Sequence, residues 1–239
     1  KMLVEEQGSA VGSDITTTPH DYRTITSEDE LRAMCDYLRG FGEFAVDTET
    51  TGVNPMTSTI VGMSFAAEPF KAWYLPLNVG GRERYIDIVR PLLEDETIAK
   101  IGQNIKFDIM VMRKVGIELR GAKYDTMLLH YLIDSEARHN MDFIAEQYLG
   151  YTPISIETLI GKGAKQLTMD MISVERVAEY AAEDADVTLR LKDKLYREVE
   201  RLGMAELYHR IEEPMIDVLA DMEFTGVRID SEALARYGV

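Results

Sequence analysis

Three short apolar runs follow one another in the first third of the chain, separated only by turn residues. The runs at 44–46, 60–67 and 72–77 are rich in the β-branched, aromatic and small side chains that fill buried strands. A fourth run at 98–101 extends this series, whereas apolar residues recur at helical spacing from residue 104 onward. This order predicts an α/β domain with a mixed central sheet flanked by helices.

The helical patterns have recognisable ends. Ser27 and Glu30 form a capping-box pattern, which predicts a helix that runs to Gly40. We expect further helices at 85–93, 104–115, 126–132, 142–148, 173–201 and 205–224. Pro91 is unfavourable inside the first of these, because a proline ring removes a backbone hydrogen bond from a helix interior.

Composition restricts the class of function. The chain carries 42 acidic and 26 basic residues, which gives a net charge of −16. Such a charge argues against a protein that coats nucleic acid through phosphate contacts, but not against an enzyme that meets phosphate through metal ions. No apolar stretch approaches the roughly 18 residues of a membrane span. Cys35 is the only cysteine, so no internal disulfide can form, and we expect a cytoplasmic protein without a membrane partner.

Two acidic residues, Asp47 and Glu49, follow the first apolar run directly. Residues two apart on a strand point to the same face, so both carboxylates would project together from the end of a buried strand. Without a partner they would repel one another and raise each other's pKa. A hard divalent cation, magnesium or manganese, removes that cost. The alternative is an exposed strand end with two solvated acids, and this pair alone favours that alternative.

Two predicted helices carry further polar pairs. Asn104 and Asp108 are four residues apart and share one helix face, and Asn104 is also a candidate N-cap. Tyr180 and Asp184 have the same spacing, so a phenol and a carboxylate would lie together and could orient a water molecule. The alternative for the second pair is a surface helix with a half-buried tyrosine.

Other polar features are not assigned a function. Glu183 and Asp186 flank Asp184, and we expect them to face solvent. Residues 161–165 form a glycine- and lysine-rich loop. No strand leads into this loop and it lacks the spacing of a phosphate-binding loop, so nucleotide triphosphate binding is rejected there.

The strings FAVDTETTG, GQNIKFDIM and YAAEDADVTL, in this order, resemble the three exonuclease motifs of the acidic "DEDD" superfamily. Tyr180 is typical of its tyrosine-type branch, and the strings are similar to those of bacterial family-A DNA polymerases. The resemblance covers residues 24–203, and residues 211–230 resemble the opening of that family's polymerase domain. It therefore implies a 3′→5′ exonuclease domain at 24–203 and the truncated start of a polymerase domain at 204–239. Residues 1–23 are mostly small, polar and aperiodic, which predicts a linker.

The resemblance implies a ribonuclease-H-like fold and two divalent metal ions, Mg²⁺ with Mn²⁺ or Zn²⁺ as alternatives. Asp47, Glu49 and Asp184 would hold the first ion. Asp47 would bridge to the second ion, on which Asp108 would act largely through water. Tyr180 and Glu49 would position the attacking water.

The resemblance also implies a substrate. A monomeric enzyme, joined to a polymerase domain in the same chain, would remove nucleoside 5′-monophosphates from single-stranded or frayed 3′ DNA ends in proofreading. The residues expected to contact DNA are Thr50, Val53, Gln103, Asn104, Lys106, Arg138 and Ile156. Val53 stands where the family commonly has a leucine and Ile156 where similar relatives have a phenylalanine, so we expect a smaller stacking surface.

Two other functions compete with this interpretation. One is a nuclease of the ribonuclease D or Werner type, acting on RNA or on other DNA ends. The other is a non-catalytic spacer domain of a polymerase. The polymerase-like segment after Ile211 argues against the first, and the presence of all four carboxylates with Tyr180 argues against the second.

Overall fold

The computed structural model describes residues 12–238, Ala164 by its backbone alone. Its strands are β1 (Asp21–Thr24), β2 (Glu43–Thr50), β3 (Ile60–Glu68), β4 (Lys71–Pro76), β5 (Ala99–Gly102) and β6 (Ala122–Asp125). They form one six-stranded sheet in the order β1-β4-β3-β2-β5-β6. Strand β3 runs antiparallel to β2 and β4, whereas β1–β4, β2–β5 and β5–β6 are parallel pairs. The predicted mixed sheet is confirmed.

The helices are α1 (Glu28–Arg39), α2 (Arg82–Leu93), α3 (Ile105–Arg113), α4 (Thr126–Ile133), α5 (Met141–Leu149), α6 (Ile156–Ile160), α7 (Val174–Arg201), α8 (Ala205–Leu207), α9 (Glu213–Thr225) and α10 (Ser231–Tyr237). A π-helical turn, Tyr208–Glu212, joins α8 to α9. Pro91 lies in the last turn of α2, near the end of the helix. In residues 12–238, none of the helices has the length and apolarity that crossing a membrane requires.

Helix α7 lies across one face of the sheet. Ala182 and Ala185 of this helix pack against Ala45, Ala66 and Ala72 of the strands. Small side chains on both sides let the helix backbone approach the sheet closely, and the close packing fixes its position. The neighbouring residues of α7 are therefore held at a defined place above β2.

The opposite face of the sheet carries the larger part of the apolar core. Phe44 and Val46 of β2 alternate with Ala45 and point to this face, where they pack with residues of α1, α2 and α3. Each fully buried side chain of this size stabilises the fold by about 1.5–3 kcal/mol. Ile216 and Ala220 of α9 are buried in the same core, so the segment after residue 204 packs directly on the α/β domain.

Strands β1 and β6 are not predicted by the sequence pattern. The linker predicted at 1–23 is wrong for its last three residues, because Asp21–Thr24 pairs with β4 as a parallel edge strand. Its side chains are half-buried at most, so it has no apolar run that would reveal it. Ser13 also forms a bridge with Tyr151. Residues 1–11 of the predicted linker lie outside the described residues.

Candidate active site

Strand β2 carries two acidic residues to the end of the sheet. Asp47 and Glu49 lie opposite Ser64 and Gly62 of β3, on the face that α7 covers. The ladder shifts register directly after Glu49. The two carboxylates therefore stand together at a strand end, which is the placement that their spacing predicts.

Helix α7 adds a third carboxylate. Asp184 lies between Ala182 and Ala185, the residues that bring the helix against the sheet. One oxygen from each of Asp47, Glu49 and Asp184 lies within 4.8 Å of the other two. Oxygens this close together can bind one divalent cation between them.

Asp108 reaches the same end of the sheet from α3. Thr48 lies between Asp47 and Glu49 in β2 and points to the opposite face of the sheet. Its hydroxyl donates a hydrogen bond of 2.5 Å to Asp108 Oδ1. Asp108 is not in the group of three, but it is close enough to Asp47 for the charge of Asp47 to raise its pKa. We call Asp47, Glu49, Asp108 and Asp184 the carboxylate cluster.

Burial makes the carboxylate cluster difficult to ionise. It raises the pKa of Asp47 from an ordinary 3.8 to about 6. Burial also raises the pKa of Glu49, Asp108 and Asp184 well above their ordinary values, and the negative charge of Asp47 raises each of them further. Acidic groups that are buried together respond in this way when no cation compensates their charge.

Two oxygens of the cluster have no hydrogen-bond donor within residues 12–238. They are Glu49 Oε1 and Asp184 Oδ1, and both are buried. A buried carboxylate oxygen without a donor costs free energy, and hard divalent cations prefer such oxygens as ligands. The residues present therefore fit a divalent metal ion.

Tyr180 is half-buried beside the cluster, one helical turn before Asp184. Burial raises the pKa of its hydroxyl far above the usual 10, and the charges of Asp184 and Glu49 raise it further. The hydroxyl therefore keeps its proton near neutral pH. It can donate a hydrogen bond to a carboxylate or to water.

A cleft of about 560 Å³ opens beside Glu49. Four of the residues expected to contact DNA line it, namely Thr50, Val53, Asn104 and Ile156. Val53 is 96% exposed on the loop between β2 and β3, and Ile156 begins α6. The remaining lining residues are 48, 51, 52, 107, 160 and 166–169. A cleft of this volume can take a nucleotide.

The other three residues expected to contact DNA, Gln103, Lys106 and Arg138, do not line this cleft. The side-chain amide of Gln103 donates to the backbone carbonyl of His139 at 2.7 Å and accepts a hydrogen bond from Thr126. Lys106 forms an ion pair with an acidic residue of α9. Arg138 is exposed between α4 and α5. Their contact with DNA stays a prediction.

Asp125 supports the cleft, although no sequence argument assigned it a role. Its carboxylate accepts hydrogen bonds from the backbone N–H groups of Asn104 at 3.1 Å and Ile105 at 2.9 Å, and from Met127 at 2.9 Å. It therefore caps both α3 and α4. Asn104 occupies the N-cap position of α3, as predicted, but it has φ +60° and its side chain makes no capping hydrogen bond. The one sequence signal for the capping role of Asp125 is its position directly before the helical pattern of α4.

The prediction that Glu183 and Asp186 face solvent is wrong, since both are fully buried. The hydroxyl of Tyr151 and the backbone N–H of Ile154 donate to Glu183 at 2.5 and 2.6 Å. The hydroxyl of Tyr22 in β1 donates to Asp186 at 2.9 Å. Both acids thus join α7 to segments that are distant in sequence.

Comparison with known sequences places the chain in a family. A family model described as 3′–5′ exonuclease matches residues 22–200. DNA polymerase I of Pseudomonas aeruginosa is 40% identical over 226 residues, which are 90% of this chain and 25% of that protein. DNA polymerase I of Chloroflexus aurantiacus is 34% identical over 239 residues, which are 97% of this chain and 25% of that protein. The chain thus spans about a quarter of the length of these curated relatives.

Solved structures share the fold at low sequence identity. The POL domain of Pol1 from M. smegmatis, in complex with DNA primer-template and dNTP, superposes with a TM-score of 0.72 at 21% identity, over 90% of this chain and 34% of that one. Brucella melitensis NrnC superposes with a TM-score of 0.64 at 20% identity, over 87% and 94% of the two chains. Trypanosoma brucei RNase D superposes with a TM-score of 0.61 at 18% identity, over 74% of this chain and 64% of that one. The ribonuclease-H-like fold is confirmed.

Proposed function

Because the chain belongs to the 3′→5′ exonuclease family of bacterial DNA polymerase I, we propose that it removes nucleoside 5′-monophosphates from single-stranded or frayed 3′ DNA ends. The observation that carries this proposal is the convergence of Asp47, Glu49 and Asp184, with buried oxygens that have no donor within residues 12–238. The sequence relatives are DNA polymerases, which favours DNA over RNA as the substrate. In the full-length protein this activity would serve proofreading.

Two divalent cations are part of the proposal, with Mg²⁺ favoured and Mn²⁺ or Zn²⁺ as alternatives. Asp47, Glu49 and Asp184 would hold one of them, and Asp47 and Asp108 the other. When bound, such cations act as Lewis acids that activate water and stabilise the leaving oxygen of a phosphodiester. The hydrogen bond from Thr48 would keep the carboxylate of Asp108 oriented toward its ligand.

Tyr180 and Glu49 would orient the attacking water. Burial raises the pKa of the phenol, so its hydroxyl can donate a hydrogen bond to Asp184 or to the water. The carboxylate of Glu49, which would also hold the first ion, offers the water an acceptor. One donor and one acceptor on two rigid elements restrict where a water molecule can sit, and this restriction lowers the entropy cost of the reaction.

The cleft beside Glu49 would hold the terminal nucleotide. Val53 and Ile156 offer apolar surface for its base, and Thr50 and Asn104 offer polar groups for its sugar and phosphate. Gln103, Lys106 and Arg138 would contact the strand beyond the terminal nucleotide. Because the chain has a net charge of −16, we expect weak binding that is sensitive to salt.

The rest of the polypeptide enters the proposal as a partner domain. We propose that residues 204–239 begin a polymerase domain in the same chain and that the enzyme is a cytoplasmic monomer. Helix α9 contacts α3 through two ion pairs, Lys106 with Glu223 and Arg113 with Asp221. A domain that follows α9 would therefore start from a fixed point on the exonuclease domain.

Digestion of matched DNA and RNA single strands with Mg²⁺ tests this function. We expect DNA to shorten from its 3′ end one nucleotide at a time and to release 5′-monophosphates. The variant Asp47→Ala with Asp108→Ala should be inactive. A strong preference for RNA would support the ribonuclease D type instead. Equal inactivity of the wild type and the double variant would support a non-catalytic spacer.

A further inference from the structure

The loop of residues 51–59, between β2 and β3, carries Val53 to the mouth of the cleft. The backbone N–H of Thr51 donates to Thr59 O at 3.0 Å, and the N–H of Thr59 donates to Thr51 Oγ1 at 2.9 Å. These two bonds close the base of the loop. They do not connect it to another part of the fold.

The outer part of this loop has little apolar contact to hold it. Val53 is 96% exposed, so its side chain contributes almost no burial. A loop of this kind opens easily unless hydrogen bonds to a rigid element hold it. Gly52, next to Val53, accepts hydrogen bonds from the hydroxyls of Thr50, at the end of β2, at 2.7 Å and of Ser58 at 2.8 Å. Besides Thr50, the position of Val53 therefore depends on the tie that holds Ser58 to a neighbouring element.

Lys114 provides that tie. It follows directly after α3, the helix that carries Asp108, and its ammonium donates to the backbone carbonyls of Pro55, at 3.0 Å, and of Ser58. Within residues 12–238, no other residue on a helix or at a helix end forms a side-chain hydrogen bond to this loop. Hydrogen bonds from a charged donor are stronger than neutral ones, so one side chain can hold both carbonyls.

We propose that Lys114 is a positioning residue. It holds in place the wall of the cleft that Val53 forms, and thereby determines how tightly the cleft binds the terminal nucleotide. The inference rests on the proposed function, because it takes this cleft as the site of that nucleotide. Lys114 acts through the loop, and the carboxylate cluster stands on other elements. Its loss should therefore weaken substrate binding and leave the chemical step unchanged.

The variant Lys114→Met tests the proposal, because it removes the donors and keeps the length of the side chain. We expect the KM for single-stranded DNA to rise roughly three- to tenfold, which corresponds to the net loss of about one hydrogen bond, with kcat unchanged. Hydrogen exchange at the amides of Thr51 and Thr59 should become faster. Lys114→Arg keeps charged donors and should restore a large part of the affinity.

Lys194→Met is the matched control, since it removes the same charge from an exposed lysine of α7. It lies ten residues beyond Asp184, or about 15 Å along the helix axis. We expect it to leave the KM and the exchange of the loop amides unchanged.

A direct contact of Lys114 with a DNA phosphate is the rival explanation, and salt separates the two. If Lys114 acts through the loop, the ratio of the KM values of the variant and the wild type stays constant as salt increases. A phosphate contact would make that ratio shrink, because counterions screen the lost charge. A shrinking ratio with unchanged loop exchange would overturn the proposal.

Failure of the inference can be told apart from failure of the proposed function. If the wild type does not digest DNA, the proposed function is wrong and the inference falls with it. If the wild type digests DNA but Lys114→Met has the same KM, or the same loop exchange, only the inference is overturned.

Discussion

The protein buries two groups of acidic side chains, which differ in whether their carboxylate oxygens accept hydrogen bonds. In the carboxylate cluster, Glu49 and Asp184 each keep a buried oxygen without a donor in residues 12–238. The second group has donors from hydroxyl and backbone N–H groups, and we call its members the paired acids: Asp125, Glu183 and Asp186. An unpaired buried carboxylate costs free energy, whereas a fully hydrogen-bonded one can hold segments together.

Two consecutive residues of α7 show the difference most clearly. Glu183 accepts hydrogen bonds from Tyr151 and Ile154, whereas Oδ1 of its neighbour Asp184 accepts none within the described residues. Burial raises the pKa of both carboxyl groups. Burial and the raised pKa therefore do not distinguish an acid that supports the fold from one that can bind a ligand. The hydrogen-bond donors around the carboxylate oxygens do distinguish them.

The largest effect should come from Asp184→Asn, which removes a charge and keeps the shape of the side chain. We expect kcat on single-stranded DNA to fall at least ~10³-fold, because the site loses a ligand charge where the transition state develops charge. The midpoint of thermal unfolding in EDTA should not fall, since a costly buried charge is lost. Single-turnover digestion and calorimetry measure the two quantities.

Asp193→Asn on the exposed side of α7 is the matched control and should leave both quantities unchanged. Loss of stability without loss of activity in Asp184→Asn would place Asp184 among the paired acids and break the comparison.

The converse variant is Glu183→Ala, which should damage the fold more than the chemistry. It leaves the Tyr151 hydroxyl and the Ile154 N–H buried without an acceptor, so the free energy of unfolding should fall by about 3 kcal/mol. Urea denaturation measures this change. Activity below the unfolding transition should fall far less than in Asp184→Asn, and an unaltered unfolding free energy would contradict the assignment of Glu183.

The different roles of these neighbours could not be predicted from the sequence. Residues 181–189 of α7 are all buried, because the sheet lies on one side of the helix and α4 and α5 lie on the other. A helix that is buried on all sides has no polar face, so helical periodicity cannot show which acid points to the cluster. The motif resemblance singled out Asp184, and only the tertiary contacts of Tyr151 and Ile154 reveal the role of Glu183.

The same limit applies to the fold and to the cleft. Apolar runs predict β2, β3 and β4, because buried strands need such residues. β1 and β6 are short and carry few buried side chains, so their pairing with the sheet defines them. Strand spacing places Asp47 and Glu49 on one face, but the pair alone favoured two solvated acids, and the motif resemblance identified them as site residues. The hydrogen bonds of Gln103 join segments far apart in sequence, and no local pattern records them.

Metal binding should sharpen the comparison, because it acts on the carboxylate cluster alone. At neutral pH, Mn²⁺ at about thirty times its dissociation constant should stabilise the fold by about 2 kcal/mol relative to EDTA. Thermal unfolding with and without the ion measures the difference. The stabilisation should be absent in Asp47→Ala and retained in a variant of a paired acid that still folds.

The pH dependence of this stabilisation has a defined sign. The pKa of Asp47 in the folded state is raised from 3.8 to about 6, so in the metal-free protein this ionised group destabilises the fold above that pH. Protonation relieves the cost as pH falls through 6, and a protonated carboxyl no longer binds the ion. We therefore expect the Mn²⁺ stabilisation to decline from pH 7.5 to pH 5.5. A stabilisation that is constant over this range would contradict an assignment of the ion to the cluster.

The smallest effect should come from Tyr180→Phe, which removes one hydroxyl from the edge of the cluster. We expect kcat to fall about tenfold, close to the net value of one hydrogen bond to a charged or reacting group. Because the hydroxyl of Tyr180 keeps its proton near neutral pH, it acts as a donor. Its removal should lower the whole pH–rate profile without changing its shape.

The pH–rate profile distinguishes a donor from a base at this position. If Tyr180 accepted a proton in the reaction, Tyr180→Phe would abolish one limb of the profile and lower kcat far more than tenfold. Tyr148→Phe serves as the matched control, since this partly buried phenol packs against the apolar cluster that contains Leu129 and Ile144, a cluster that does not include the carboxylates. If both variants lowered kcat equally, Tyr180 would act through general packing, and the set of functional side chains on α7 would reduce to Asp184.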